Sequence, residues 1–161
     1  MACIDPPLER GGSCDVDGLL SQQRENDAMK VFRLEEANAL LPIVRPLVVE
    51  MTQKRRDLAI KLLEAETAQR MVSDAGGAQR AATQAKQAQE MHADLLAVID
   101  AIQKHGCVVK DLDLGLLDFP ALRGGQLVNL CWKMDEPSIA FWHAIDEGFS
   151  SRKSIARRRR Q

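Results

Sequence analysis

The residues best suited to bind a ligand or a metal ion are concentrated between positions 118 and 152 of the 161-residue chain. This stretch holds five of the six aromatic residues together with acidic, basic, thiol and imidazole side chains. The candidate ligand-binding residues are Asp118, Arg123, Trp132, Trp142, His143 and Arg152. Aromatic packing against a helical core accounts for such a cluster without any ligand, and we weigh that interpretation above a binding pocket.

A metal site is one chemistry that this stretch could support. His143 and Glu147 are four residues apart and would share one face if the segment is helical. With Asp118 or Cys131 completing the set, they could bind a metal ion, and we predict Asp118, His143 and Glu147 as ligands. The chain lacks an HExxH motif, and a single histidine beside large aromatics is more often a hydrogen-bonded core residue. The cofactor, if there is one, is unknown at this stage.

Anion binding is a second chemistry. Arg123 and Arg152 could bind a carboxylate or phosphate group through their forked guanidinium groups. Ion pairs with Asp118 or Asp146 are the simpler interpretation of both arginines. Neither GxxxxGK nor GxGxxG occurs in the chain, which argues against nucleotide hydrolysis.

Charge is unevenly distributed, although the net charge is only -1. Residues 1–28 carry six acidic and two basic side chains, whereas residues 151–161 carry six basic and no acidic ones. The run Arg157, Arg158, Arg159 and Arg160 is a candidate nucleic-acid contact, because clustered arginines neutralise phosphates. No aromatic residue interrupts this run, so a solvated, disordered tail over 151–161 is the simpler prediction.

The cysteines and the apolar pattern indicate a compartment. Cys3, Cys14, Cys107 and Cys131 form no CxxC pair, which favours reduced thiols over a zinc knuckle or a redox motif. The chain has no secretory signal pattern and no run of eighteen apolar residues. We therefore predict a cytoplasmic protein that does not enter a membrane.

Residues 1–28 mix Pro, Gly, Ser, Asp and Gln without periodicity, so they cannot bury enough apolar surface to offset the entropy of ordering. We predict that they are disordered. The helical pattern begins just after Met29, which is therefore an alternative translation start. The intact mass of the natively expressed protein tests this alternative.

Two long helices follow in the predicted organisation. A short helix from Leu34 should end at Leu41, because Pro42 and Pro46 interrupt the pattern, and a long helix should begin near Pro42. Its apolar seam recurs every seven residues at Val44, Met51, Leu58, Ala65 and Val72.

Gly76 and Gly77 predict the turn that follows this rod. The returning helix should run from about Gln79 to Lys104. Its seam would comprise Ala81, Ala85, Ala88, His92, Leu95, Ile99 and Ile102, with His92 setting the register. Because small alanines bury little area each, we expect the tip of the hairpin to be its most weakly packed part.

The last part of the chain changes period. Gly106 is placed to end the returning helix, and a small β segment is predicted over 107–133, with Gly124 and Gly125 as a two-residue hairpin turn. A short helix is predicted between Pro137 and Gly148, with a buried strand over 138–145 as the alternative. The predicted fold class is α+β, mainly α: a long antiparallel helical hairpin packed on a small β-hairpin and helix segment. Residues 29–150 would form a single domain.

Three blocks of sequence together resemble a known family. They are FRLEEANALLP over 32–42, VKDL with GLLDFPALR over 109–123, and LCWK with EPSIAFWH and GF over 130–149. In this order they are similar to the domain of unknown function 2203, a bacterial family, over about residues 29–155. The resemblance implies a compact single domain starting near Met29 and brings no activity, substrate or cofactor. Arg33 stands where such proteins often have a helix-capping Thr, whose loss should cost about 1 kcal/mol.

Three functional hypotheses follow from these patterns. The preferred one is a non-enzymatic interaction protein whose hairpin presents a coiled-coil-like surface and forms a homo-oligomer or binds a protein partner. The second is a metal or small-anion binding protein, which would include a hydrolase, with its site between 118 and 147. The third is a nucleic-acid accessory factor that uses the arginine run.

Overall fold

The computed structural model describes residues 29–156, and these form two helices and one antiparallel sheet. In chain order the elements are α1 (Leu34–Arg70), α2 (Ala75–Gln103), β1 (Val108–Asp111), β2 (Leu116–Arg123), β3 (Gln126–Lys133), β4 (Phe141–Ala144), a 3-10 turn (Phe149–Ser151) and β5 (Lys153–Ser154). The predicted α+β class, mainly α with a long helical hairpin, is confirmed. The predicted leader over 1–28 lies outside the described residues.

The N-terminus of α1 is capped without the threonine oxygen. Backbone amides at a helix start lack intrahelical partners and need other acceptors. Arg33 is the N-cap residue and provides no side-chain cap, but Oε2 of Glu36 accepts a hydrogen bond from its backbone amide at 2.9 Å. This is one half of a capping box. The amide of Phe32 also donates to the carbonyl of Pro120 at 2.7 Å, which ties the helix start to β2.

The helix break predicted at Pro42 is wrong, because α1 runs without interruption from Leu34 to Arg70. Pro42 and Pro46 lie on the exposed face of α1, where water can bond the carbonyls that lose an amide partner. The buried positions Ala37, Leu41, Val44 and Val48 continue through the prolines at spacings of three and four. Packing of this face therefore preserves the helix.

The hairpin turns at residues 71–74, ahead of the predicted Gly76 and Gly77. Asp74 is the N-cap of α2, and its Oδ1 accepts a hydrogen bond from the amide of Gly77 at 2.6 Å. An aspartate at this position supplies both an acceptor and a favourable charge. Both glycines consequently lie in the first turn of α2, and the predicted start at Gln79 falls inside the helix.

Contact between α1 and α2 is dense near the sheet and sparse at the far end. Met51 is fully buried and Leu58 is 5% exposed, whereas Val72 is 38% exposed, as expected for a lightly packed tip. The buried positions of α2 include Ala81, Ala88, Leu95 and Ile102, which recur every seven residues. His92 is exposed, contrary to the register role predicted for it. Among residues 29–156, neither helix combines the length and apolar character that a membrane crossing requires.

The five strands form a meander in the order β1-β2-β3-β4-β5. Gly124 and Gly125 make the predicted hairpin turn, with φ angles of 59° and 79° that favour glycine. The helix predicted between Pro137 and Gly148 is wrong, and the strand alternative is correct, because β4 pairs with β3 on one side and β5 on the other. These two neighbours satisfy the backbone of β4, which outweighs the local helix signals.

Side chains alternate between the two faces of the sheet. One face packs against the base of the hairpin and forms the core, with Leu117, Phe119, Ala121, Val128, Leu130 and Trp132 all buried. The neighbouring positions on β2 and β3, among them Asp118 and Cys131, project from the opposite face. The folded part of the chain extends past residue 150, because β5 and the last residue of the 3-10 turn fall within the segment 151–161 predicted as a tail.

Candidate functional site

Three strands bring Asp118, Cys131 and His143 together on the sheet face opposite the helices. Asp118 is the direct partner of Cys131 in the register of β2 and β3, so both side chains project to the same side. Cys131 is also the partner of Phe141 on β4, and His143, two residues further on, projects to that side as well. One ligand atom from each of the three residues lies within 4.8 Å of the others. We call this group the Asp–Cys–His cluster.

The Asp–Cys–His cluster is inaccessible to solvent, with exposed fractions of 1% for Asp118, 0% for Cys131 and 1% for His143. Nε2 of His143 lies 3.2 Å from Oδ1 and 3.1 Å from Oδ2 of Asp118. Nδ1 of His143 lies 2.8 Å from the carbonyl oxygen of Ala144. Because a carbonyl only accepts, the network assigns a proton to Nδ1 and a second proton to the contact between Nε2 and the carboxylate.

One polar atom of the cluster lacks a hydrogen-bond partner. Among the described residues no well-aligned hydrogen bond reaches Oδ2 of Asp118, because the single Nε2 proton of His143 can serve only one of the two carboxylate oxygens well. Buried polar atoms are normally satisfied, and an unsatisfied one is energetically costly. Burial, followed by the charge of Asp118, raises the pKa of the Cys131 thiol to about 12. The thiol of Cys131 is therefore protonated and is a weak hydrogen-bond donor beside this carboxylate.

This burial limits what the cluster can do chemically. A general base must reach the proton that it removes from a substrate. The imidazole of His143 is buried, with 1% of the residue exposed, so an external substrate cannot approach it. The cluster is suited to a structural role or to holding a small ion.

The structure does not bring the predicted metal ligand Glu147 to the cluster. Its carboxylate accepts hydrogen bonds from the amide of Ala144 at 3.1 Å and from Nζ of Lys153 at 3.0 Å. These two contacts, in that order, lower the pKa of Glu147. The spacing of four residues from His143 has no special meaning here, because the segment is a strand followed by a turn.

Arg123 and Trp142 lie together on the helix-facing side of the sheet, opposite the cluster. The guanidinium carbon of Arg123 lies 4.8 Å from the centroid of the Trp142 ring, and Nζ of Lys153 lies 5.0 Å from it. Both contacts are cation–π interactions. Among the described residues, Arg123 forms no ion pair with the expected Asp118 or Asp146.

Trp132 is a core residue rather than part of a pocket, being fully buried. Its Nε1 donates to the carbonyl of Glu136 at 3.0 Å, and the carboxylate of Glu136 pairs with Arg152 at 2.8 Å. Sequence reasoning missed Arg45, whose guanidinium lies 4.8 Å from the Trp132 ring and donates to the carbonyl of Met134 at 2.7 Å. A lone arginine in an apolar helix stretch was the only available signal. These contacts fix the loop between β3 and β4 to α1.

A second feature is an apolar groove of about 750 Å³ between α1 and α2, on the hairpin beyond the sheet. Its apolar lining comprises Leu58, Leu62, Ala65, Ala81, Ala85, Ala88, Leu95 and Leu112, and its polar lining comprises Arg55, Glu66, Gln69, Gln89 and His92. We call it the hairpin groove. Leu62 is 52% exposed within it, and contiguous exposed apolar surface of this kind marks interaction sites.

The predicted nucleic-acid contact from Arg157 to Arg160 lies outside the described residues and stays a prediction. Within residues 29–156, the features that could carry a function are therefore the Asp–Cys–His cluster and the hairpin groove.

The fold and these two features define an α+β protein whose helical hairpin is docked on one face of an antiparallel meander and whose opposite face buries a polar cluster. Residues 30–155 match the family described as "Uncharacterized conserved protein (DUF2203)", and the chain belongs to this family. The family resemblance in the sequence is thereby confirmed. No curated protein and no solved structure matches the chain.

Proposed function

We propose that this protein is a non-enzymatic helical interaction module that pairs with a second copy of itself through the hairpin groove. The observation that carries the proposal is the groove itself, an open apolar channel between two helices with half-exposed Leu62 on its wall. Other large apolar side chains of α1, including Ile60 and Leu63, are exposed but do not line the groove. Two such hairpins packed together would form a coiled-coil-like four-helix arrangement.

The charges along the groove favour a second copy as its occupant. Arg55 lies towards the sheet and Glu66 towards the tip, eleven positions later on α1. At 1.5 Å per residue this separation is about 16 Å along the helix. In a two-fold symmetric pair with antiparallel α1 helices, Arg55 of each copy would meet Glu66 of the other. Arg55 also lies 3.7 Å from Asp113, and Glu66 pairs with Arg70 within the chain, so the contacts between copies would add to these exposed pairs.

The exposed area allows an estimate of the energetic contribution of Leu62. Complete burial of a leucine side chain contributes roughly 1.5–3 kcal/mol, and about half of this side chain is still exposed in the monomer. Covering the remainder contributes about 1 kcal/mol per copy and, by symmetry, about 2 kcal/mol per dimer. This corresponds to a dissociation constant that is about 30-fold lower.

Sedimentation equilibrium over a wide concentration range tests the proposal. We expect a monomer–dimer equilibrium for the natural chain and a monomer for Leu62→Glu. Leu63→Glu is the matched control, because Leu63 is 65% exposed on the same helix and does not line the groove. A natural chain that remains monomeric at all concentrations would refute self-association, and equal effects of the two variants would refute the groove as its site.

A charge reversal tests the antiparallel arrangement. Arg55→Glu should weaken the dimer by placing two carboxylates opposite each other, and Arg55→Glu combined with Glu66→Arg should restore it. Failure of the double variant to recover would contradict this arrangement while leaving the groove as an interface. Circular dichroism of each variant controls for loss of helix.

The proposed setting is the cytoplasm. Cys107 and Cys131 support it, because both are buried free thiols rather than halves of a disulfide. Cell fractionation of the natively expressed protein tests this part, with recovery outside the cytoplasmic fraction as the contrary result.

A further inference from the structure

We propose that the Asp–Cys–His cluster is a structural binding site for one divalent transition-metal ion of the Zn²⁺ type. The ligands would be a carboxylate oxygen of Asp118, Sγ of Cys131 and Nε2 of His143. This proposal concerns the sheet face opposite the helices and is independent of the hairpin groove.

The spacing of the donor atoms supports the site. Two N or O ligands about 2.0–2.1 Å from a tetrahedral Zn²⁺ ion lie about 3.3 Å from each other. Nε2 of His143 is already 3.1–3.2 Å from the carboxylate oxygens of Asp118. The three donor atoms lie within 4.8 Å of one another, and a Zn²⁺-bound sulfur lies about 3.6 Å from the other ligands, so Cys131 needs a shift of no more than about 1.2 Å to reach the same ion.

The surroundings of His143 are those of a metal ligand. A histidine that binds through one ring nitrogen normally donates the other N–H to a carbonyl or carboxylate, which fixes the tautomer. Nδ1 of His143 makes such a contact with the carbonyl of Ala144 at 2.8 Å, and this leaves Nε2 directed at Asp118 and the centre of the cluster.

An independent observation is the unpartnered oxygen Oδ2 of Asp118. It belongs to a side chain that is 1% exposed, and its polar neighbours, Nε2 of His143 at 3.1 Å and the weakly donating thiol of Cys131, leave it without a well-aligned hydrogen bond. A cation between the three side chains would supply the missing partner. The structure therefore has a poorly satisfied electron-pair donor among the three side chains of the cluster.

The chemistry of the donors selects the class of ion. A set of one sulfur, one nitrogen and one oxygen suits Zn²⁺ or Co²⁺, whereas Ca²⁺ and Mg²⁺ prefer oxygen alone. Binding releases two protons, one from the Cys131 thiol and one from the contact between Nε2 and Asp118. The resulting thiolate and carboxylate balance the two positive charges of the ion, and the nearby guanidinium of Arg152, which also acts on the Cys131 thiol, is balanced by Glu136.

Cobalt spectroscopy tests the site, because thiolate-bound Co²⁺ gives a charge-transfer band in the near ultraviolet. The full chain carrying Cys3→Ser and Cys14→Ser removes the two thiols outside the described residues, and refolding it with Co²⁺ gives the buried site access to the ion. We expect one Co²⁺ per chain and a clear thiolate band. Zn²⁺ should displace Co²⁺ and abolish the band.

Two cysteine variants locate the ligand. Cys131→Ser in this background should remove the thiolate band and weaken Co²⁺ binding at least tenfold. Cys107→Ser is the matched control, since Cys107 is also a buried free thiol but donates to the carbonyl of Ile102 at the end of α2. It should keep the band.

Absence of the thiolate band in the Cys3→Ser/Cys14→Ser protein would by itself overturn the proposal. A band that survives Cys131→Ser, or one that disappears equally in Cys107→Ser, would overturn it as well. Each of these outcomes would mean that Asp118, Cys131 and His143 form a hydrogen-bonded cluster without a metal ion. Sedimentation of the same samples measures dimer formation independently, so a failure of metal binding can be distinguished from a failure of self-association.

Discussion

Replacing Asp118 by alanine in metal-free buffer isolates the contribution of the buried aspartate–histidine pair. The carboxylate is 1% exposed and holds Nε2 of His143 at 3.1–3.2 Å. Removing one partner of a buried pair leaves the other without compensation and typically costs about 3–5 kcal/mol. The alternative partners are few, because the neighbouring Cys131 is a weak hydrogen-bonding group. We therefore expect a loss of this size in the free energy of unfolding.

Urea denaturation with EDTA, followed by the fluorescence of buried Trp132, measures the loss. With a slope of about 2 kcal/mol per molar urea, the midpoint should fall by about 1.5–2.5 M. Asp135→Ala is the matched control, since its carboxylate is 65% exposed and pairs with Lys133 at the surface, where such pairs contribute about 0–1 kcal/mol.

A double-mutant cycle with His143→Ala completes the test. If the two side chains stabilise each other, the double variant should lose at least about 1 kcal/mol less than the sum of the single losses. A loss below about 1 kcal/mol for Asp118→Ala, or strict additivity in the cycle, would refute the reasoning.

Two further outcomes are expected. Burial raises the pKa of the Cys107 thiol from 9.0 to about 11, so the unfolded chain ionises first; this contribution to stability is complete below pH 9 and declines as the pH rises towards 11. Unfolding free energies measured from pH 8 to 11 should therefore fall less steeply in Cys107→Ala, and parallel curves would contradict the assignment. A chain ending at Ser150 loses β5 and the pair between Arg152 and Glu136, whose side chains are 15% and 18% exposed. Its free energy of unfolding, measured by urea denaturation, should be lower than that of a chain ending at Ala156 by on the order of 2 kcal/mol. Equal free energies would support the predicted domain end at 150.

Several local features of the fold could be predicted from the residues themselves. Gly124 and Gly125 indicate their turn because both positions need a positive φ, which glycine adopts without strain. The seven-residue spacing of Val44, Met51 and Leu58 indicates the buried face of α1, and all three are buried. These signals depend only on neighbours along the chain.

Other features depended on what packs against them. Pro42 predicts a helix end, but its exposed position and the continuous buried face of α1 preserve the helix. Residues 138–145 carry helix signals and nevertheless form β4, because β3 and β5 supply hydrogen-bond partners on both sides. In each case long-range contacts outweighed local preference.

The same division applies to the candidate sites. The sequence alone determined the fold class, the family and the stretch that holds Asp118, Cys131 and His143. Only the tertiary structure decided that these three side chains converge while Glu147 does not, because strand register sets which residues become neighbours on a sheet face. It also decided that the alanine-rich helix leaves an open groove, since the gap depends on how closely two helices approach each other. Register and helix approach are properties of the packed chain, and no local pattern of residue types specifies them.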